Sequence, residues 1–318
     1  MMKQVKNHKT TGRREFISMI SAAAAIGLVG VPGVKGASLS DHQTGINGQP
    51  EPAMPAINLG PHRVSRLICG SNPILGYSYL GPHTDTHMKE YFTTEQTVEF
   101  LLKCEQAGII THQLSSRQEY LSPLRDRGSK MKFICLHQDR EKIKETIGNV
   151  RPIAMVHHGG VTDRLFAAGD SGIVHDYVKA VKDTGLLAGV SAHNPDVIKQ
   201  IADAGWEVDF FMTCFYYLTR KMDSPELTSA LPVGSYTFFK DDPAEMTKVI
   251  RQVKQPCLAF KILGAGRQCS DQKKVRSAFQ YAFENIKPTD GVIVGMFPWY
   301  FDEVKANSTY AREVGQLT

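Results

Sequence analysis

From Leu67 onward, short apolar runs that end in polar residues alternate with longer segments of amphipathic spacing, the pattern of parallel strands covered by helices. Eight strands are predicted, over Leu67–Gly70, Ile109–Gln113, Lys132–His137, Ile153–His157, Leu187–Ser191, Phe210–Cys214, Cys257–Lys261 and Gly291–Gly295. Between them the spacing predicts helices over Thr94–Ala107, entered through a threonine cap and ended by Gly108, and over Val174–Thr184, Pro195–Ala204, Ala244–Val253 and Asp271–Asn285. Eightfold alternation implies a closed (β/α)8 TIM barrel of the α/β class, one domain over residues 56–318. An openly wound sheet is the alternative that periodicity leaves standing.

The chain ahead of the barrel has a different character. Thr11-Gly12-Arg13-Arg14-Glu15-Phe16-Ile17 resembles a twin-arginine signal, and the uncharged Ala/Gly-rich stretch Ile17 to Val34 follows it. Small residues at Val34 and Gly36 suggest cleavage before Ala37, which makes residues 1–36 a signal peptide and 37–55 a polar, flexible linker. The expected partner is the twin-arginine export machinery, and the expected location is outside the cytoplasmic membrane, periplasmic in a diderm bacterium. The mature form is expected to lack a stable membrane span, retention of the leader as an anchor being the alternative.

Composition adds exclusions. The chain of 318 residues is 42% hydrophobic and 22% charged, enough apolar material for a sizeable core. Its net charge of +5 draws on Lys3, Lys6, Lys9, Arg13 and Arg14 in the leader, and no later basic block is interleaved with aromatics. Nucleic-acid binding therefore gains no support. Six cysteines form no CxxC pair, and four of them sit in apolar strand-like runs, so mostly free, buried thiols are expected.

Asn58-Leu59-Gly60 through Val64-Ser65-Arg66-Leu67 and Gly70-Ser71-Asn72 looks like the opening hairpin and first strand of the aldo/keto reductase superfamily. Gly189 to Pro195 is similar to that family's fifth strand, Ala259 to Gly266 to its seventh, and Val292 to Met296 with Glu303 and Asn307 to its eighth. The resemblance implies NAD(P) as cofactor, with Ser191 at the carboxamide, Phe260 stacked on the nicotinamide, and Gly295 and Asn307 at the adenine end. The family's active-site Asp, Tyr and Lys fall at Gln113, Gln118 and near His137, and only its His is matched, by His157. Tyr120 is the alternative position for the Tyr.

In place of that tetrad, His112, His137, His157 and His193 are expected at the C-terminal ends of the second to fifth strands, the active-site end of this fold. Three of them, His112, His137 and His157, could converge on a divalent metal. Against this stands the reading that each is a hydrogen-bonded structural histidine. His83, Asp85 and His87 form a second polar group in a long first loop. Lys261, ending the seventh strand, is placed to form a Schiff base, hold a carboxylate or polarise a carbonyl, against a structural ion pair with Asp139, Glu119 or another carboxylate of the mouth. Gly264-Ala265-Gly266-Arg267 is a turn able to approach a phosphate, and the aromatics between Tyr216 and Asp242 suggest a lid or loop packing.

Three functions follow as expectations. The first is an exported enzyme acting on a small carbonyl or sugar-like substrate by acid/base chemistry at a histidine-rich mouth, with or without a metal. The second is a divergent NAD(P)-dependent aldo/keto oxidoreductase with tightly held cofactor. The third is a barrel that binds a ligand without catalysis.

Overall fold

A computed structural model describes residues 52–115, 118–221 and 236–317. The signal and most of the linker read from the sequence lie outside them. The described chain opens with a hairpin, β1 (Ala56–Leu59) and β2 (His62–Ser65), in which Ile57 faces Val64. Gly60 turns it at φ +54°, a conformation that a side chain would strain.

Eight parallel strands then close into a barrel in the order β10-β3-β4-β5-β6-β7-β8-β9. They are β3 (Leu67–Gly70), β4 (Thr111–Ser115), β5 (Lys132–His137), β6 (Ala154–His157), β7 (Leu187–Ala192), β8 (Phe210–Cys214), β9 (Cys257–Phe260) and β10 (Gly291–Gly295). The TIM barrel expected from the alternating pattern is thus the fold. One boundary differs in a way that matters: the strand expected over Ile109–Gln113 begins two residues later. Ile109 and Ile110 are held below the barrel, their amides donating to Cys104 O and Ser65 Oγ.

Helices α1 (Pro82–Tyr91), α2 (Thr94–Gln106), α3 (Leu121–Asp126), α4 (Ile143–Val150), α5 (Gly159–Ala168), α6 (Ser171–Lys182), α7 (Pro195–Asp203), α8 (Asp242–Gln252), α9 (Gln272–Asn285) and α10 (Glu303–Val314) connect the strands. Local chemistry sets their ends. Thr93 Oγ1 caps α2 through Gln96 N, and Asn194 and Asp271 cap α7 and α9 in the same way. No helix among the described residues is long and apolar enough to cross a membrane.

Alternation along each strand splits the core into two layers. Ile68, Ile134, Ala154, Val156, Phe210, Met212, Leu258 and Ile293 fill the barrel together with Ile57, Leu59 and Val64 of the hairpin, which seals its N-terminal end. Leu67, Cys69, Leu114, Cys135, Met155, Val190, Phe211 and Val292 face outward against Val98, Leu101, Val178, Ile198, Ile250 and Phe279 of the helices. Each large side chain buried in this way contributes about 1.5–3 kcal/mol. All six thiols are free, five of them buried and Cys269 exposed.

A buried polar lock ties the floor together. Arg66, 3% exposed, donates to the carbonyl oxygens of Asp290 (3.0 Å), Gly315 (2.7 Å) and Lys287 (3.3 Å). The Asp290 carboxylate, fully buried, accepts from the amides of Cys257 and Lys287 and pairs with Lys287 Nζ at 3.2 Å.

Candidate active site

Because neighbouring residues of a strand point to opposite sides, the side of each strand-end residue matters as much as its height. In β4, Leu114 packs outward, so His112 does too, and the later start of this strand sets His112 in its lower half. Its Nδ1 meets Cys69 O at 2.9 Å and its Nε2 meets Tyr120 Oη at 2.9 Å. Both ring nitrogens are therefore engaged between the strands and the helices. Tyr120 is 4% exposed, and burial raises its phenol well above the usual range. Neither it nor Gln118, whose amide donates to Ser115 O, takes the place of a proton donor at the mouth.

In β6, Ala154 and Val156 fill the barrel, so His157 faces outward against the Tyr177 ring, with centroids 5.0 Å apart. Thr162 Oγ1 donates to His158 O and sits 2.7 Å from His157 Nδ1, so that nitrogen carries the proton. Nε2 is left bare and buried. Burial, and then the neighbouring His158 and His137, lower this imidazole to about 4. His137 also ends its strand on the outward side, where Nδ1 accepts from Asp139 N, and burial lowers it as well. The expected convergence of His112, His137 and His157 on a metal is corrected on this parity. Among the described residues no group of three His, Cys, Asp or Glu side chains is placed to hold a metal ion.

The mouth belongs instead to His193 and to residues that the strand pattern alone does not assemble. His193 follows β7, whose inward positions are Gly189 and Ser191. Asp163, in the first turns of α5, reaches under it and accepts from His193 Nδ1 (3.0 Å), from His193 N (2.9 Å) and from Thr219 Oγ1 (2.9 Å) on one oxygen, and from Asn194 N (3.3 Å) on the other. This carboxylate is 4% exposed and the imidazole 12% exposed. Its Nε2 has no protein partner among the described residues. Gly159, where α5 starts, allows the close approach: a Cβ there would lie 2.8 Å from Ser191 Oγ and 3.2 Å from His193 Cε1.

His158, one residue beyond outward-facing His157, turns inward. Burial lowers its imidazole, helped by His193, Arg164 and Lys261, so it is held neutral, with Nδ1 buried and without a partner. The Phe260 ring closes the other side of His193, edge to face at 5.6 Å. Lys261 departs from the expected alternation. It has a left-handed backbone at φ +60°, which swings Nζ to 3.8 Å from the centroid of the Tyr79 ring, itself on a residue at φ +61°. Left-handed backbone costs a non-glycine residue about 1–2 kcal/mol, and such strain concentrates at functional sites. Beside His193 a cavity of about 210 Å³ is lined by Cys214, Tyr217 and Arg220, the last paired with buried Asp242 at 2.6 Å. Burial raises the Cys214 thiol to about 12, so it is uncharged.

The other expected positions scatter. Ser191 is 1% exposed beside His193, Gly295 is exposed at the end of β10, and Asn307 is buried in α10. His83, Asp85 and His87 lie on helix α1 rather than in a loop. Asp85 holds Ser78 through its amide and hydroxyl, and His87 packs edge to face on Phe297 and Trp299. Of the long loop, Tyr236 and Phe238 pack on Tyr79 and Tyr216 packs on Phe238, while its residues 222–235 lie outside the described ones.

An imidazole whose Nδ1–H is fixed by a buried carboxylate offers Nε2 as a proton acceptor. A neutral imidazole and an ammonium stand nearby. The set is equipped to move a proton at a carbon or oxygen and to hold negative charge that develops beside it.

No family model matches the sequence, and no curated protein matches it. Solved structures do match in shape. A truncated 3-deoxy-D-arabino-heptulosonate 7-phosphate synthase from Thermotoga maritima aligns over 83% of this chain and 91% of its own, with 10% identity and a TM-score of 0.50. A dihydropteroate synthase from Yersinia pestis aligns over 82% and 97%, with 8% identity and a TM-score of 0.48. At such identities the likeness is one of fold, and the resemblance to aldo/keto reductases draws nothing from it. This chain is similar to those proteins as a (β/α)8 barrel.

Proposed function

We propose that the protein is an enzyme of proton transfer, acting at the barrel mouth on a small carbonyl or sugar-like substrate in an enolisation, isomerisation or elimination. The observation that carries this reading is the buried Asp163 bound to His193 Nδ1, with Nε2 left without a partner among the described residues. His193 takes the proton next to the carbonyl. His158, neutral, hydrogen-bonds the carbonyl oxygen, and Lys261 supplies positive potential as charge develops there. The leader read from the sequence supports action outside the cytoplasm, on whatever small molecule is met there.

The test is exchange of substrate C–H for deuterium in D2O, followed by NMR over a panel of aldoses, ketoses, oxo acids and sugar acids. Exchange by the intact protein, reduced roughly 10²- to 10⁴-fold in His193→Ala, is expected. A panel without exchange, or full exchange in that variant, removes the proposal.

Ser191 and Phe260 flank His193, and this favours a second reading, the oxidoreductase implied by the resemblance. A bound nicotinamide would supply hydride, with Ser191 at its amide and Phe260 against its ring. Tight binding of NAD(P) that weakens in Phe260→Ala supports it, and no binding at saturating dinucleotide ends it.

A further inference from the structure

Among the described residues Lys261 is a cation without a counter-ion. Its ammonium lies on the face of Tyr79 at 3.8 Å and 5.6 Å from the centroid of Phe260, contacts that use no N–H in a hydrogen bond. Among the described residues it forms no ion pair. The carboxylate of this corner, Asp163, already accepts four hydrogen bonds from His193, Asn194 and Thr219. Arg164 adds a second positive charge near His158. The mouth therefore carries positive charge that the described residues around it do not neutralise, in a place made by two strained residues, Tyr79 and Lys261.

We propose that the substrate bears a carboxylate, and that Lys261 is its counter-ion. This rests on the reading of the mouth as an active site and narrows its substrate to a small oxo or hydroxy acid, sugar acids included. A single anionic group of low charge fits better than a phosphate. Arg267, the other cation of this loop, donates to the carbonyl oxygens of Gly264 (3.2 Å), Ala265 (3.4 Å) and Tyr79 (3.5 Å), and its guanidinium lies over Phe238. The amides of Gly264 and Arg267 are likewise used within the turn, by Lys261 O and Gly264 O. The glycine turn is thus closed on itself, and one ammonium remains whose N–H groups have no hydrogen-bond partner among the described residues.

The test is protection of Lys261 in the full chain from an amine-acylating reagent, read by peptide mass spectrometry. D-glucuronate and pyruvate are the carboxylate probes, inorganic phosphate the alternative anion and D-glucose the uncharged control. Saturable protection by a carboxylate probe, with none from D-glucose, is expected. Calorimetric affinity for that probe falls roughly ten- to a hundredfold in Lys261→Gln and is kept in Lys261→Arg. Stronger protection by phosphate, equal protection by D-glucose, no protection at all, or unchanged affinity in Lys261→Gln overturns the proposal. Carboxylate binding without any C–H exchange would end the proton-transfer reading and leave this one standing. Exchange on D-glucose that Lys261→Gln leaves intact would do the reverse.

Discussion

Lowering the pH should loosen this barrel through His157, and the size of the effect follows from where the ring sits. Its Nδ1–H is committed to Thr162, Nε2 is bare among apolar neighbours, and the side chain is fully buried. A proton on Nε2 would put an unpaired cation between strand and helix, which is why the imidazole is lowered from the ordinary 6.5 to about 4. The unfolded chain takes up that proton below pH 6.5 while the folded chain does not, so stability is full above that value and is lost as pH falls toward 4. At about 1.4 kcal/mol for each pH unit between those limits, the whole loss is about 3 kcal/mol, of which about 2 kcal/mol has gone by about pH 5. Urea unfolding at pH 7 and at pH 5 measures it. His158 and His137 shift in the same direction, so the informative quantity is the comparison with His157→Gln, which keeps a polar group for Thr162 but cannot titrate. The variant should lose about 2 kcal/mol less than the parent between the two pH values. Equal losses in the two proteins would refute the argument.

Further outcomes follow from other contacts. Asp163→Asn sets an amide NH2 against a carboxylate site that receives four donors, so C–H exchange should drop roughly 10²- to 10⁴-fold with the near-UV circular dichroism spectrum retained; a loss under threefold would show that the aspartate does not orient His193. Arg66→Met strips several buried carbonyl oxygens of their donor and should lower unfolding free energy by about 3–5 kcal/mol in urea titration. A change below about 1 kcal/mol would mean that the floor is held by the hairpin's apolar contacts alone.

The barrel was legible because its strands are buried on both sides and its helices on one, which writes two different periods into the chain. Seven of the eight strands end at the expected residue or within one of it. The site was less legible, and the histidines show why. Height along a strand can be read from where an apolar run stops, but His112 and His157 fall on outward positions, as Leu114, Ala154 and Val156 reveal once their layers are known. For β6 the signal was present: with Ala154 and Val156 inside, it is the next residue after His157 that returns to the mouth. Asp163 had only a faint trace in the sequence, a Thr-Asp-Arg run on an otherwise apolar helix. Its role depends on how α5 docks against β7, a contact between segments 30 residues apart. Lys261 lay where it was expected, but its direction is set by a left-handed backbone that alternation does not foresee.

The hairpin of Ile57, Leu59 and Val64 has a kinetic consequence. With the lower end filled by side chains, the described residues leave the rim, beside Tyr79 and Lys261, as the way to the mouth. Reactant and product then share a single doorway and exclude one another, so accumulating product should slow turnover as a competitive inhibitor. If His193 acts as proposed, release past the rim, rather than chemistry there, becomes the natural place for a speed limit.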